Sequence, residues 1–411
     1  MQQSKIINVI DIGSSKITVL VGQHFPQEDK TNIVAVAVEP CLGFRKGQIV
    51  NIEQAITTLT KVVESAERMA GMPINSAHIS ISAPYIESVN SQGVVAISDP
   101  QSEISTQDVD RAIDAAKAIT LPAGKEVIHV IPRKYIVDGQ EGIIDPVNMT
   151  GVRLEVETHI IMASTPALKN LGKSLDQIGV KPTSINYSGL PAAQIALTDT
   201  EKELGVVLVD IGGSTTTVTI FSQTSPCYST VIPIGGNNIT NDLAIGLRLS
   251  IDEAEKLKIF LNKVEKNNFA AEIDLQEKQI SGTKRKVSIQ TAINGIIKPR
   301  LEEIFGLVKQ KIEESTLLDS IPAGIVLTGG GSLTINGEEI AGKILNLPIR
   351  TSSPQDIGGL IDDINTPMFT SAVGLLMYSI DDQNNPKPRK TTKRIGNIFD
   401  KIKNLIEPLL P

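Results

Sequence analysis

Residues 6–22 and 205–220 carry one pattern twice, and a chain built this way is expected to fold as two similar halves. Val206 to Val209 is a short apolar run that predicts a buried strand, with Asp210 at its end. Gly212, Gly213 and Ser214 form a turn of small residues, and Thr216 to Phe221 predicts a second strand. In the other copy an apolar run ends at Asp11, Gly13 to Ser15 make the turn, and a β-branched strand follows Lys16. Placing Asp11 on Asp210 brings Gly13 onto Gly212 and Ser15 onto Ser214. Asp followed closely by Gly is by itself only a turn signal. Two copies in the same strand context specify more, because a β-hairpin tip presents backbone N–H groups to which a phosphate can bind.

A triphosphate held between two similar halves needs donors from both sides. It also needs carboxylates for Mg²⁺, usually reached through water because this ion dehydrates reluctantly. Asp11 and Asp210 are the candidate carboxylates. Gly13, Ser14, Ser15 and Lys16, with Gly212, Gly213, Ser214 and Thr215, are the candidate phosphate contacts. A third Gly-rich turn, Gly329, Gly330 and Gly331, follows another apolar strand, where glycine permits close approach to a flat base. Together the three turns resemble the two phosphate motifs and the adenosine motif of the actin, Hsp70 and sugar-kinase superfamily. That resemblance implies ATP and Mg²⁺ as ligands, in an α/β fold of duplicated ribonuclease-H-type domains around a nucleotide cleft.

Composition narrows the partners. A net charge of −7 over 411 residues argues against a nucleic-acid binder. The absence of Trp removes a stacking platform for single strands. Two cysteines, Cys41 and Cys227, imply no disulfide framework and suit a reducing compartment. The four histidines show no ligand spacing and read as structural. An N-terminus that enters a strand at once predicts no signal peptide, and no apolar run reaches the roughly 20 residues of a spanning helix.

Along the chain, helical spacing predicts a helix from Ile52 to Ala70, ended by Gly71. Residues 84–163 carry their own strands (126–131, 134–137 and 158–162 among them) and a helix from Thr106, enough for an inserted domain. Gly172-Lys173-Ser174 falls inside a predicted helix and lacks the first glycine of a P-loop. Glu255 and Lys258 lie three apart on a helix, the spacing of a surface ion pair. Residues 262–287 are charged and predict a peripheral hairpin, and a long helix is expected over 289–314. Residues 381–392 form a polar, Pro-containing linker.

The last stretch differs from the acidic body. Ile395, Ile398, Phe399, Ile402, Leu405 and Ile406 recur at helical spacing, and seven Lys/Arg against one acid lie from Pro386 to Lys403. An amphipathic helix with Arg394, Lys401 and Lys403 on its basic flank reads as a membrane-surface anchor for anionic lipid. Ile395 to Ile406 spans only about 18 Å as a helix, so it lies in the interface rather than across the bilayer.

Several longer runs, His129 to Tyr135, Gln140 to Gly142, Met149 to Arg153, Ile239 to Asp242 and Ser371 to Leu376, are similar to the FtsA family of bacterial cell-division proteins, actin homologues. The resemblance covers essentially the whole chain. It implies subdomain 1A in residues 1–83 and 164–192, an inserted 1C in 84–163, 2A in 193–230 and 358–380, 2B in 231–357, and a membrane-targeting helix in 393–411. It places Gly236, Glu255 and Lys258 in the nucleoside pocket. It further implies self-association into filaments through 1C, binding of the FtsZ C-terminal tail through 2B, recruitment of later division proteins, and a peripheral site on the inner membrane at the division septum. Two departures stand out: many members carry an acid where this chain has Thr216-Thr217, and related sequences often have Glu-Pro where it has Tyr187-Ser188. Hydrolysis needs an oriented water as well as a clamp, so slow ATP turnover at most is expected. The alternatives are an actin-like pilus-assembly ATPase and a small-molecule kinase of the superfamily.

Overall fold

The computed structural model describes residues 4–98, 103–264, 271–355, 358–359 and 364–384. Every residue named above for the membrane helix, Arg394 to Ile406, lies outside them.

The first half opens with the antiparallel strands β1 (Lys5–Ile12), β2 (Lys16–Phe25) and β3 (Lys30–Pro40). A short hairpin, β4 (Phe44–Arg45) and β5 (Gln48–Ile49), leads into α1 (Ile52–Ala70). The Asn51 side chain accepts the Gln54 N–H to start this helix, and Gly71 at φ +69° ends it. Leu59, Val62 and Val63 bury its inner stripe, each worth about 1.5–3 kcal/mol at full burial. β6 (Ser76–Ile81) then runs parallel to β1.

A second layer is inserted here: β7 (Glu87–Ala96), α2 (Thr106–Lys117), β8 (Lys125–Val137), β9 (Gln140–Ile143) and β10 (Arg153–Ser164), in sheet order β7-β10-β8-β9. The two strands expected over 126–137 are one. The register against β10 shifts between Glu157 and Thr158, so β8 passes Pro132 without breaking. The chain returns through α3 (Thr165–Gln177), β11 (Lys181–Tyr187), α4 (Gly189–Ala196) and α5 (Asp199–Leu204).

The second half repeats the first. It contains β12 (Val206–Ile211), β13 (Thr216–Ser222) and β14 (Ser225–Ile232), then α6 (Gly236–Leu247) and α7 (Ile251–Leu261). Next come a hairpin of β15 (Glu272–Asp274) and β16 (Lys286–Ser288), a π-helical turn over Thr291–Ile297, and α8 (Lys298–Glu314). β17 (Ile325–Thr328), α9 (Gly337–Leu345) and β18 (Ile349–Thr351) complete it. The order β18-β17-β12-β13-β14 matches β11-β6-β1-β2-β3 strand for strand.

Three expectations change. β17 and β18 lie inside 231–357, expected as 2B, yet they belong to the second half's main sheet. The described residues of 358–380, expected in 2A, lay their apolar face on the first half's sheet, while Thr370 and Ser371 bond to Thr328 and Asp210 of the second. β19 (Gly358–Gly359) pairs with β3, and α10 (Thr370–Asn384) sets Val373, Leu375 and Leu376 against Ile7, Val9, Leu20 and Ile33. The outer face of the first sheet is apolar and needs cover, which α10 supplies. The hairpin region expected to be peripheral instead buries Ile273, Leu275, Ile280 and Val287 in the second core. Among the described residues, no helix is long and apolar enough to cross a membrane.

Candidate functional site

The two predicted hairpins face one cavity of about 630 Å³, within the roughly 300–1,000 Å³ of small-molecule sites. Their turns close identically: Gly13 N–H donates to Lys16 O at 3.1 Å, and Gly212 N–H to Thr215 O at 2.8 Å. Asp11 pairs with Thr18 across one hairpin, and Asp210 with Thr217 across the other. The duplication therefore extends to register. The tips also touch, since a Cβ on Gly213 would lie 2.7 Å from Ser15 Cβ. Asp11, Gly13, Ser14, Ser15, Lys16, Asp210, Gly212, Gly213, Ser214 and Thr215 all line the cavity.

Each aspartate is held by a serine from a distant element. Ser80 donates its hydroxyl to Asp11, and Ser371 donates to Asp210 Oδ2 at 2.7 Å. Burial raises the Asp11 pKa above the usual carboxylate range, against the Ser80 hydrogen bond and the Lys16 charge. Burial pushes Asp210 up to about 6, opposed by Ser371 and reinforced by the negative charge of Asp11. A bound cation would reverse both shifts. Among the described residues, no group of three or more His, Cys, Asp or Glu is placed to hold a metal ion by itself. A metal here would complete its shell from water and ligand phosphate, as Mg²⁺ commonly does.

Lys16 supplies the opposite charge. Its Nζ is buried without a hydrogen-bond partner and sits 3.3 Å from the centre of the Phe369 ring. Burial pulls its pKa down to about 8, with Asp11 opposing. A buried donor with no partner in a polar cavity fits an anion. The residues present therefore fit a Mg²⁺–triphosphate: Asp11 and Asp210 for the metal, Lys16 and the hairpin tips for phosphate.

Gly236, Glu255, Lys258 and Gly329, Gly330 and Gly331 line the other end of the cavity. Lys258 Nζ lies 2.7 Å from Glu255 Oε2 and donates to Thr240 Oγ1 at 2.9 Å and to Gly236 O at 3.3 Å. This pair faces the cavity, with Lys258 buried, and is no solvated surface pair. The glycines of the third turn serve packing as well as ligand approach. Gly329 sits at φ +80°, and a Cβ there would lie 2.1 Å from Asp210 Oδ1. Gly236 N–H and Asn237 N–H are spent on Gly212 O and Gly213 O, so the start of α6 fixes the second hairpin.

Sequence reasoning missed Ser80, Ser371, Phe369, Thr240 and the Asn237 amide that donates to Ser214 Oγ at 3.1 Å. The signal for Ser80 was its place opposite Asp11 in the β1–β6 ladder. No short motif contains such a pairing.

A family model described as "SHS2 domain inserted in FTSA" matches residues 84–162, and one described as "Cell division protein FtsA" matches residues 207–374. The cell division protein FtsA of Pseudomonas aeruginosa is 38% identical over 384 residues, covering 93% of this chain and 91% of that one. The Neisseria meningitidis protein of the same name is 37% identical over 413 residues, covering 99% of each. The chain belongs to the FtsA family. The match over 207–374 takes in the second hairpin, Glu255, Lys258 and the third turn. Among solved structures, the PilM–PilN type IV pilus biogenesis complex aligns with a TM-score of 0.65 at 16% identity, covering 91% of this chain and 98% of that one. MreB5 of Spiroplasma citri bound to ADP aligns with a TM-score of 0.56 at 15% identity, covering 94% and 99%. The fold of this FtsA-family chain is thus actin-like with an inserted SHS2 domain.

Proposed function

We propose that the chain is an ATP-binding cell-division protein that polymerises on the cytoplasmic face of the inner membrane at the septum and tethers FtsZ filaments there. The observation that carries the nucleotide part is the facing pair of hairpins, with Asp11, Asp210 and the unpartnered Lys16 Nζ on one cavity. The MreB5 neighbours, titled as bound to ADP and to AMPPNP, support a nucleotide in this fold. Membership of the FtsA family supports the division role, with FtsZ tail bound by the 2B elements α6 to α8, filament contacts through the inserted domain, and recruitment of later division proteins. The basic amphipathic segment from Arg394 to Ile406 supports the membrane attachment.

Two measurements test this. Mg²⁺–ATP raises the melting temperature of the full chain, by mass action on the folded state; no rise removes the nucleotide. Flotation on anionic vesicles tests the tether: Phe399→Glu releases the protein at any salt, whereas Lys401→Gln matters mainly at low salt. A Phe399→Glu protein that still floats with the parent makes the tail a protein-docking helix instead.

A further inference from the structure

One short segment, Pro367 to Ser371, touches all three turns of the site. At the third turn, Pro367 O accepts the Gly329 N–H at 3.1 Å, and Thr370 Oγ1 is hydrogen-bonded to Thr328 Oγ1 at 2.7 Å. On the second hairpin, Ser371 donates to Asp210 Oδ2 at 2.7 Å. On the first, Lys16 Nζ rests over the Phe369 ring, 3.3 Å from its centre. This last contact differs in kind from the others. An ammonium carries three N–H donors, and here Lys16 Nζ has no hydrogen-bond partner. The ring offers only the attraction of its negative face for a cation, which is worth most when the pair is out of water. That condition is met. Lys16 Nζ has almost no accessible surface, and Phe369 is buried in the apolar cluster that α10 makes with Ile7, Val9, Leu20 and Ile33. Lys16 lines the cavity, yet its ammonium is turned on to the ring. An ammonium so covered cannot meet a phosphate where it lies. Its flexible four-carbon stem can rotate to do so, and the ring contact is then lost.

We propose that Phe369 competes with the phosphates for Lys16, and so sets the affinity of the cavity for a nucleoside triphosphate. This rests on the nucleotide reading above. Binding exchanges the ring's hold for charge-assisted hydrogen bonds, which are roughly twice as strong as neutral ones. The lost ring contact offsets part of that gain. Phe369 is thus a positioning residue, because it acts on the ligand through Lys16. When Lys16 leaves, the segment from Pro367 to Ser371 keeps its bonds to Asp210 and the third turn, and the cation no longer ties it to the first hairpin. The exchange therefore registers phosphate at the start of α10 as well as at the hairpin.

The test measures the Mg²⁺–ATP affinity of the full chain by calorimetry. Phe369→Leu keeps an apolar side chain and removes the π face. It tightens binding about five- to thirtyfold, the range that a desolvated cation–π contact covers. Phe369→Tyr keeps the face and stays within about twofold of the parent. In a Lys16→Met background, Phe369→Leu changes the affinity by less than about twofold, a coupling that a merely structural role of the ring would not produce. A Phe369→Leu protein that binds like the parent or more weakly overturns the competition, as does the same tightening with Lys16→Met present. Should Phe369→Leu not fold, NMR of the parent with isotope-labelled lysine decides. The ring current displaces the Lys16 ε-methylene resonance, which returns to the ordinary lysine position as Mg²⁺–ATP is added. A resonance still displaced at saturation overturns only this inference, whereas a parent that fails to bind Mg²⁺–ATP overturns the nucleotide reading itself.

Discussion

Where the first hairpin turns back with Lys16, the second turns back with Thr215, and the two places differ in more than charge. Lys16 Nζ is buried and unpartnered, whereas Thr215 Oγ1 lies within hydrogen-bond distance of both Ser14 and Ser82. Two residues further on, Thr18 Oγ1 is buried with no partner, but Thr217 Oγ1 has Ser82. The backbone is duplicated down to the register of its strands, yet the polar satisfaction is not. The first hairpin bears unpaired polar atoms at a cost to the empty protein. The second is hydrogen-bonded before any ligand arrives. Lys16 is thus the place where an anion relieves the empty state, and the second hairpin serves as a prepaired wall.

The most severe way to break this comparison is to remove what the two hairpins share. Asp11→Ala and Asp210→Ala each delete one carboxylate, and both are expected to abolish most of the Mg²⁺-dependent stabilisation by ATP. At a ligand concentration of 100 Kd that stabilisation is about 2.7 kcal/mol, readily seen in a melting curve. Equal Mg²⁺–ATP affinity in both variants and the parent would remove the metal assignment.

A second test sets the hairpins against each other at equivalent positions. The folded pKa of Lys16, about 8, lies below the ordinary lysine value of 10.5, so the charged ammonium is disfavoured by folding. The penalty is present at neutral pH and disappears as pH rises from about 8 toward 10.5. Lys16→Met is therefore expected to stabilise the ligand-free protein by about 1–3 kcal/mol at pH 7, to flatten its stability above pH 8, and to weaken ATP binding. Thr215→Val should instead cost about 1 kcal/mol of stability through its lost hydrogen bonds. Thermal melts across pH decide it, and shifts of the same sign at both positions would show that the copies are not chemically divided.

How much of this was legible in sequence follows from where each piece of information resides. The hairpins, α1 with its Gly71 stop, and the gathering of the Gly-rich turns were readable, because each is written in neighbouring residues. Ser80 and Ser371 were not, since they reach Asp11 and Asp210 from 69 and 161 positions away. The placement of α10 was equally hidden. A helix with Val373, Leu375 and Leu376 all buried declares that it is covered, without declaring which sheet covers it. β19 is two glycines and has no side-chain pattern to read.

A smaller effect sharpens the account of the aspartates. The Asp210 pKa of about 6 in the folded protein exceeds the ordinary aspartate value of 3.8, so the folded state keeps its proton longer. Ligand-free stability should accordingly fall as pH rises from about 4 to about 6 and stay lowered above that. Asp210→Asn retains an acceptor for Ser371 and removes the charge. It is expected to flatten this window and to stabilise the empty protein by about 1–2 kcal/mol at pH 7.5, while Mg²⁺–ATP no longer stabilises it further. Denaturant melts at pH 4.5 and 7.5 suffice, and an unchanged slope between them would mean that Asp210 is ionised at both.

The smallest expected difference is the most specific to the comparison, because it uses one substitution at two equivalent places. Thr18 and Thr217 are both buried, at 1% and 2% exposure, and each lies opposite its hairpin's aspartate. Replacing threonine with valine keeps the shape and removes the hydroxyl. At Thr18 that hydroxyl has no partner, and an unsatisfied buried donor costs about 1–3 kcal/mol, so Thr18→Val is expected to be neutral or stabilising. At Thr217 the change breaks the bond to Ser82 and leaves the serine hydroxyl less satisfied, so Thr217→Val should lose about 1 kcal/mol. The two variants add the same methyl group in the same strand context, which cancels most of the transfer and packing contribution between them. What remains is the difference in hydrogen bonding. If urea melts of ligand-free protein give both variants the same sign and size, the second hairpin's hydroxyls contribute no more than the first's, and the asymmetry resides in Lys16 alone.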